Sequence, residues 1–572
     1  MKTILYFIKP YRKLLFFAII FIICDVIGAL YIPTLTADMI NIGVNTGNLE
    51  YIIQKGIVML IVTILAALGT LLGTYLCTDL ASKISRDIRN ALYKKSLELS
   101  TFDFKQFGTA SMITRTLNDV NVIQQSFVNF MQMVLPVPFM CIIGIAMAFS
   151  IDVFMGWLLI GATLIIIISA VFITKKAALI FKKLQSFLDK MNSVLRENIT
   201  GVRIIRAFNK ERHEKRRLRK SFEDYEKSAI KANKLFAKLD SLALFAINTT
   251  IIIILWIGGN RIGIGTMEIG DITALTEYAI LILFYIIMAQ MVIMLMPRAI
   301  VCLNRIKDVL EKEVQIHNGT DKYIDSNTNE ILEFKNVSFR YADADENTLN
   351  NISFTCKKGE TTAIIGSTGS GKSTIAGLIM RFHDITNGKI LLKGQDIRKI
   401  PQKEVRKHIS YVPQVAWLFS GTIEDNLNFG NSKATKLELN KSLKIAQADF
   451  VNDLEGGVKA RVAQGGKNFS GGQKQRLAIA RALIKKADLY VFDDSFSALD
   501  FKTDSKLRNA INENIKDASI LVIAQRISTI LNANQIIVLN DGEIVGIGTH
   551  DELMKKCTIY QEIANSQLKG GK

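Results

Sequence analysis

Six long stretches in the first half of the chain carry almost no charge. Each contains at least 20 residues, and about 20 are needed for an α-helix to cross a hydrocarbon layer of ~30 Å. They lie at Leu14–Ala37, Gly56–Thr78, within Val120–Ile151, Val153–Thr174, Ser241–Asn260 and Tyr278–Pro297. Because 49% of the 572 residues are hydrophobic, a large part of the chain is expected in the lipid bilayer. The sequence therefore predicts an α-helical membrane domain with six spans in residues 1–310.

Basic residues are unevenly distributed among the segments that connect these stretches. Segment 175–240 carries 19 Lys and Arg residues, whereas segments 41–54 and 150–152 carry none and segment 260–271 carries only Arg261. Basic connectors remain in the cytoplasm, so both termini are expected there. The net charge of +19 then reflects membrane orientation and solvated helix faces, and no nucleic-acid partner is expected.

The two long connectors, 79–119 and 175–240, are rich in Lys, Glu, Leu and Ala. This composition predicts helices that continue from the spans into the cytoplasm, with a reach of ~1.5 Å per residue. Each pair of helices is expected to turn at a short transverse segment, near Phe104–Ala110 and near Gly201–Asn209. A helical domain lying on the membrane surface would show the same pattern.

Two acidic residues stand in or beside the apolar stretches, Asp25 in the first and Glu277 at the outer end of the sixth. A charge at the middle of a membrane costs about 2.5–3.5 kcal/mol on insertion scales, so Asp25 is expected to face the bundle interior or a watery cavity. It either attracts a cationic substrate or pairs with a polar group of a neighbouring helix or partner chain. The sixth stretch also places four methionines around Gln290, which suits an adaptable apolar site or ordinary packing.

One stretch in the second half matches the phosphate-binding pattern G-x-x-x-x-G-K-[ST]. Its glycines let backbone N–H groups turn toward phosphate oxygens, Lys372 is expected to reach the β- and γ-phosphates, and Ser373 to ligate Mg²⁺. An apolar strand precedes the stretch and a helical run follows it, as the motif requires; a chance Gly/Ser-rich turn is the alternative. The members are Gly366, Ser367, Thr368, Gly369, Ser370, Gly371, Lys372, Ser373 and Thr374.

The composition changes after the sixth stretch. A charged linker at 311–330 leads to short apolar strands that alternate with helices, and this alternation predicts an α/β nucleotide-binding domain over residues 331–572. The fold class expected for the whole chain is thus a six-span α-helical membrane domain followed by an α/β P-loop domain. ATP and Mg²⁺ are the expected cofactors.

Motifs around the phosphate loop resemble those of the ATP-binding cassette family. Val337–Tyr341 resembles the segment whose aromatic residue, here Tyr341, stacks on adenine. Tyr411–Gln414 resembles the family's Q-loop, in which Gln414 would contact Mg²⁺ or the attacking water. Leu489–Asp493 resembles the Walker B strand, with Asp493 as a Mg²⁺ ligand. Phe469–Gln473 resembles the family signature, with Phe469 in place of the usual Leu; its further members are Ser470, Gly471, Gly472 and Gln473.

Three positions depart from the family pattern. Asp494 stands where the family usually has Glu, and its side chain is one methylene shorter. A misplacement of ~1 Å can lower a reaction rate on the order of 10²-fold. Gln525 stands where a histidine is expected, and an amide cannot become cationic to stabilise charge that develops on the γ-phosphate. Gln464 replaces a Glu that is common in exporters.

The resemblance implies an exporter half-transporter of bacterial multidrug type in the plasma membrane. In this family each ATP lies between the phosphate loop of one cassette and the signature of the other, so a second half-transporter subunit is implied. The departures favour a heterodimer in which this chain supplies the degenerate ATP site, with Asp494 and Gln525 at the hydrolytic positions, and an intact signature for the partner's hydrolytic site. A small hydrophobic or amphipathic substrate is expected.

Other functions remain open to the sequence. A homodimer with two slow sites is the alternative within the family, and lipids or peptides fit as substrates equally well. An ATP-gated channel or sensor would also combine six spans with one cassette. A soluble ATPase acting on nucleic acid does not fit six spans with this distribution of charge.

Overall fold

The chain divides into two compact units. The computed structural model describes the backbone of residues 2–569 and the side chains in that range, except those of residues 2, 105, 173–183, 185, 235, 236, 239, 240, 568 and 569. The first unit comprises Met1–Glu98 and Phe107–Glu313, and the second comprises Leu99–Gln106 and Val314–Lys572. Residues 570–572 of the predicted α/β domain lie outside the described residues.

The first unit is entirely helical in its described part. Six of its helical stretches are long and apolar enough to cross a membrane, as predicted: Thr3–Val44, Leu49–Glu98, Thr109–Ile151, Val153–Phe172, Ser241–Gly263 and Ile269–Leu310. The helices are α1 (Lys2–Ile8), α2 (Arg12–Asp38), α3 (Leu49–Glu98), α4 (Thr101–Phe107, shared with the second unit), α5 (Thr109–Thr114), α6 (Val120–Asn129), α7 (Pro136–Ile151), α8 (Val153–Thr200), α9 (Val202–Ala207), α10 (Glu211–Gly263) and α11 (Ile269–Leu310).

Four helices extend well past the length that a bilayer needs, among them α11 with 42 residues. Helices α3, α8 and α10 contain 50, 48 and 53 residues, and a 50-residue helix is about 75 Å long at ~1.5 Å per residue. The short helices α4 and α9 follow α3 and α8 near the two predicted turns. Continuation of the spans as helices, rather than as irregular connectors, is therefore confirmed.

Polar side chains fix where spans begin and how they pair. The Asp152 side chain accepts a hydrogen bond from the Met155 backbone N–H at the start of α8, which satisfies an otherwise unpaired N–H at the helix end. The same carboxylate pairs with Arg261 near the end of α10.

Within the bundle, Thr70 Oγ1 donates to Asp25 Oδ1 at 2.6 Å. The structure thus gives Asp25 a polar partner on the neighbouring helix α3.

Close backbone contact joins α11 to α2. The Gly270 N–H donates to Asn41 Oδ1 at 2.6 Å, and Asn41 Nδ2 donates to Asp271 Oδ1 at 3.0 Å. A Cβ atom on Gly270 would lie 2.4 Å from the Ala37 carbonyl oxygen. Only glycine permits this approach, because any side chain atom would overlap that oxygen.

The second unit contains twelve strands in its described part. A four-stranded sheet has the order β2-β1-β4-β5, a six-stranded sheet the order β12-β11-β3-β10-β9-β6, and β7 pairs with β8. The strands are β1 (Glu330–Phe339), β2 (Leu349–Lys357), β3 (Thr361–Gly366), β4 (Asn387–Leu392), β5 (Gln395–Asp396), β6 (Ile409–Val412), β7 (Gly421–Thr422), β8 (Arg461–Val462), β9 (Leu489–Asp493), β10 (Ser519–Ile523), β11 (Gln535–Asn540) and β12 (Glu543–Gly548).

Helices cover the six-stranded sheet, whose central strands are buried on both faces. Strands β3, β9 and β10 are parallel neighbours, so their carboxyl ends meet at one edge. Such an edge is where open α/β sheets bind ligands. The helices are α12 (Lys372–Ile379), α13 (Gln402–Lys407), α14 (Ile423–Asn428), α15 (Lys436–Ile445), α16 (Gly471–Ile484), α17 (Phe501–Asn514), α18 (His550–Lys556) and α19 (Thr558–Lys569).

Residues 316–326, which we call the strap, are fastened to the cassette along their length. The Arg381 guanidinium is only 2% exposed and donates to the His317 carbonyl oxygen at 2.7 Å. The Tyr323 ring packs against that of His408, with centroids 4.2 Å apart and the ring planes tilted by 32°. Further contacts join Asp321 to Lys399, Asp325 and Ser326 to Lys393, and Asn318 to Gln402. Arg381 lies two residues after the end of α12, so the strap is tied to the segment that follows the phosphate-loop helix.

Candidate functional site

The phosphate loop lies between β3 and α12, as the sequence predicts. Gly371 has φ +95° and Gly369 has φ +89°, a backbone conformation that glycine adopts without steric cost. A Cβ atom on Gly366 would lie 2.2 Å from the Leu539 carbonyl oxygen on the neighbouring strand β11. The loop therefore needs glycine for its conformation and for its close packing, and it aims the N-terminus of α12 at the binding edge, where anions are favoured.

Lys372 is held inside the loop. Its Nζ atom donates to the carbonyl oxygens of Gly366 at 2.9 Å and Ser367 at 2.6 Å. Burial lowers the pKa of the Lys372 ammonium, because low-dielectric surroundings disfavour the charged form. A phosphate group fits this position, since it would offer the desolvated ammonium a charged partner in place of neutral carbonyls.

Ser373 and Asp493 form a pair of oxygen ligands beside the loop. Ser373 Oγ donates to Asp493 Oδ1 at 3.2 Å, and the Tyr411 hydroxyl donates to Asp493 Oδ2 at 3.3 Å. Burial raises the pKa of the Asp493 carboxyl. Hydroxyl and carboxylate oxygens are the hard ligands that Mg²⁺ prefers, so these residues fit the ion that the family uses.

Asp494 lies between two side-chain amides. Its Oδ2 atom accepts from Gln414 Nε2 at 3.2 Å and from Gln525 Nε2 at 2.9 Å. The backbone at Asp494 has φ +46°, and its N–H donates to the Ile523 carbonyl oxygen at 2.8 Å. The structure thus brings together Asp494 and Gln525, two of the three residues that depart from the family pattern, and the Q-loop glutamine.

Tyr341 stands at the far side of the phosphate loop. Its hydroxyl lies 3.2 Å from Thr374 Oγ1, and its ring meets the His383 ring edge to face with centroids 5.3 Å apart. A cavity of about 520 Å³ lies beside it, lined by Tyr341, Asp343, His383, Thr101, Phe102 and Gln106. An aromatic face next to a cavity of this size can hold a nucleotide base.

The signature caps helix α16. Ser470 Oγ accepts from the Gln473 N–H at 3.3 Å, and Gln473 Oε1 accepts from the Ser470 N–H at 2.9 Å. A Cβ atom on Gly471 would meet nothing within 4 Å. Within residues 2–569, no described hydrogen bond joins Ser470–Gln473 to the phosphate loop. Ser470 and Gly471 are exposed and Gly472 and Gln473 are half-buried, so the N-terminus of α16 is open at Ser470 and Gly471.

Two further features of the site are not predicted by the sequence. Tyr411 belongs to the quoted Q-loop segment, but only the structure shows that its hydroxyl reaches Asp493; its place on the strand that pairs with β9 is the signal that marks it. Phe469 is buried and its ring lies 6.3 Å from that of Phe450. The signature's first position is thus a core position, where a larger apolar residue has a partner.

The geometry defines the class of protein. A phosphate loop at the carboxyl edge of a parallel sheet, with a serine and an aspartate placed for Mg²⁺, belongs to a P-loop nucleotide-binding protein, and the six apolar helices place this one in a membrane. The family model "ABC transporter transmembrane region" matches residues 15–287, and the model "ABC transporter" matches residues 349–497. The chain belongs to the ABC transporter family.

Relatives match along almost the whole chain. An uncharacterized ABC transporter ATP-binding protein of Mycobacterium tuberculosis is 37% identical over 564 residues, covering 98% of this chain and 97% of the relative. The uncharacterized ABC transporter ATP-binding protein YfiB of Bacillus subtilis is 34% identical and covers 99% of each. A Rickettsia typhi protein, provisionally named an export ATP-binding/permease protein, is 30% identical and covers 98% of each.

A solved structure shows the same fold. The chain superposes on a bacterial Atm1-family ABC exporter with ATP bound at a TM-score of 0.82, with 23% identity, covering 97% of this chain and 98% of that one. The protein is therefore an exporter half-transporter, a multi-pass membrane protein whose ATPase domain drives transport. ABC exporters act as dimers in the bilayer.

Proposed function

We propose that this chain is the degenerate-site half of a heterodimeric exporter of hydrophobic or amphipathic, multidrug-type substrates. The exporter lies in the plasma membrane, with the cassette and both termini in the cytoplasm, on the side to which the basic connectors point. The observation that carries the proposal is the environment of Asp494, whose carboxylate is engaged by the neutral amides of Gln414 and Gln525.

ATP is held by residues of this chain. Tyr341 stacks on adenine, the loop from Gly366 to Thr374 surrounds the phosphates, and Ser373, Gln414 and Asp493 hold Mg²⁺. The bound ion would neutralise charge on the β- and γ-phosphate oxygens. Because Lys372 already lies desolvated inside the loop, little rearrangement is needed to receive a phosphate, and this favours tight binding.

Hydrolysis at the same site is slow. A general base must lie within hydrogen-bond reach of the water whose proton it takes. Asp494 is shorter than the usual Glu, and its Oδ2 atom faces two amide donors. Gln525 stays neutral, so it adds no positive charge as negative charge develops on the γ-phosphate. ATP accordingly remains bound while the chemistry proceeds elsewhere.

The signature of this chain serves the partner's site. Ser470 and Gly471 are exposed at the start of the 14-residue helix α16, and a helix N-terminus attracts the γ-phosphate. Since Gly471 has open space in front of it, the phosphates of a nucleotide held by a second subunit can approach this backbone closely.

The proposal is tested by ATPase measurements on the chain alone and on the complex with a partner captured from its own cells. We expect the chain alone to hydrolyse ATP at least about tenfold more slowly than the pair. In the pair, Gly471→Ala in this chain should lower turnover strongly, while Lys372→Ala should mainly weaken ATP binding. Comparable turnover by the chain alone, or a larger loss from Lys372→Ala than from Gly471→Ala, contradicts the proposal.

A further inference from the structure

A cavity of about 480 Å³ lies within the membrane unit, away from the nucleotide site. Its walls are the face of α8 between Leu158 and Ala170, the face of α10 between Leu242 and Ile253, and Gln290 on α11. At ~1.5 Å per residue the α8 wall is about 18 Å long, more than half of the hydrocarbon thickness. The volume lies within the range of about 300–1,000 Å³ that small-molecule sites occupy.

The described lining of this cavity is uncharged. Its polar side chains are those of Ser169, Thr249, Thr250 and Gln290, and the remaining lining residues are apolar or glycine. Asp25, the acidic residue inside a span, is absent from the lining and accepts a hydrogen bond from Thr70 instead. Burying a charged group without a counter-charge is costly. The cavity therefore selects an uncharged ligand over a cation.

Gln290 is the polar group best placed to bind a ligand. It is 5% exposed, and its described hydrogen bond is a long one, from Nε2 to the Ala170 carbonyl oxygen at 3.5 Å. A glutamine amide has two N–H donors and an acceptor oxygen, so it can both donate to and accept from a ligand. The hydroxyls of Ser169 and Thr250 donate to carbonyl oxygens of their own helices, and their oxygens can only accept further.

We propose that this cavity binds an uncharged, elongated amphipath whose polar head hydrogen-bonds the Gln290 amide. Its apolar body lies along the walls formed by α8 and α10. Phe245 is 70% exposed on this wall, so the site is open on one side of this chain. The inference rests on the proposed export function and narrows its substrate class to neutral molecules.

Two glycines make a matched test of the site. Gly161 lines the cavity and Gly259 does not, and a Cβ atom at either would meet nothing within 4 Å. Gly161→Phe places a ring at the cavity wall, and Gly259→Phe adds the same ring elsewhere in the membrane helices. The probe is an N-octyl dansylamide, which is uncharged, and its counterpart is the same molecule with a trimethylammonium on the second carbon of the octyl chain, beside the head.

Binding is measured by dansyl fluorescence on the full chain in nanodiscs of zwitterionic lipid, with empty nanodiscs as the partition control. We expect the uncharged probe to bind at least about tenfold more tightly than the cationic one. Gly161→Phe should weaken its binding by about tenfold or more, and Gly259→Phe should leave it unchanged. Equal affinity for the two probes, or equal effects of the two glycine changes, overturns the proposal.

Gln290 is tested by changing its chemistry. Gln290→Leu should weaken binding of the uncharged probe by about fivefold to tenfold through loss of the hydrogen bond. Gln290→Glu should instead increase affinity for the trimethylammonium probe, because it introduces the missing counter-charge. If neither variant shifts the ratio of the two affinities, Gln290 does not recognise the head group and the assignment is wrong.

The binding assay needs no ATP, so it separates this inference from the export proposal. Selective binding without ATP-dependent transport of the probe in vesicles supports the site and contradicts export of this class. If amphipaths are transported and Gly161→Phe does not change their transport, the export proposal is supported and the proposed binding site is contradicted.

Discussion

Gln525 donates its side-chain N–H to the Asp494 carboxylate at 2.9 Å, across the gap between the loops that follow β10 and β9. Gln414 donates to the same oxygen at 3.2 Å. The Asp494 N–H donates to the Ile523 carbonyl oxygen, so both the backbone and the side chain of Asp494 are held in place by hydrogen bonds. The two residues act as a unit, so substitutions at them are expected to be non-additive.

The double change Asp494→Glu with Gln525→His should raise ATP turnover of the complex by about tenfold to hundredfold. The longer carboxylate reaches the water, and the imidazole can carry positive charge. Each single change should raise the logarithm of the ATP turnover rate by much less than half of the increase that the double change gives. Turnover is measured at saturating ATP, with Asp541→Glu, another exposed aspartate with positive φ, as the control. A double variant no faster than the control shows that these positions do not limit hydrolysis.

Asp493→Asn should stabilise the nucleotide-free protein at alkaline pH. Burial raises the pKa of Asp493 in the folded protein, so the folded state binds this proton more tightly than the unfolded state does. The stability that the proton supplies is present at low pH and is lost as pH rises through the folded pKa. The asparagine variant should therefore gain more over the wild type at about pH 8 than at about pH 4, close to the unfolded pKa of an aspartate, in thermal unfolding. The exposed Asp517→Asn serves as control, and a gain independent of pH contradicts the assignment.

Arg381→Met should destabilise the cassette by about 3 kcal/mol, because it leaves buried carbonyl oxygens without a donor. The Arg381 guanidinium, 2% exposed, donates to three of them, those of His317, Ile397 and Ile400, and pairs with Asp384. Arg461→Met is the control, since Arg461 is exposed and its loss should cost less than about 1 kcal/mol. Thermal unfolding of both variants shows which of them loses more stability. Equal losses of stability would contradict the role of the contact between Arg381 and the strap.

Gly270→Ala should lower the stability of the membrane unit by about 1–3 kcal/mol. The added Cβ would lie 2.4 Å from the Ala37 carbonyl oxygen and 2.6 Å from Asn41 Oδ1, so α2 and α11 must move apart. Gly263→Ala, at a position with nothing within 4 Å of the added atom, should be neutral. Thermal unfolding in nanodiscs measures the stability of both variants. If Gly270→Ala leaves the stability unchanged, the close contact between α2 and α11 is contradicted.

Features with a local signal were predictable from sequence. Apolar length identifies spans because a bilayer imposes it, and the phosphate loop has fixed spacing around Gly366, Gly371 and Lys372. The order of motifs from Tyr341 to Gln473 adds specificity that no single motif has. These elements were found where the sequence predicts them, since short-range chemistry alone determines them.

Features that depend on distant partners had no such signal. Gln414 and Gln525 converge on Asp494 because β6 and β10 flank β9 in the sheet, a pairing that follows from topology. The partner of Asp25 proved to be Thr70 on the adjacent helix. The polar segment before the first strand looked like a linker, because its contacts run largely through backbone groups to side chains such as Arg381, which no local pattern marks.

The strap decides where the soluble half can be cut from the rest. A truncated protein that starts at Ile331 loses the carbonyl of His317, which Arg381 contacts, and the ring of Tyr323, which covers His408. It would expose a desolvated guanidinium beside the end of the phosphate-loop helix and would tend to aggregate on production. A truncation that starts at Val314 keeps these contacts, so isolated cassettes for crystallisation, nucleotide titration or inhibitor screening should begin there.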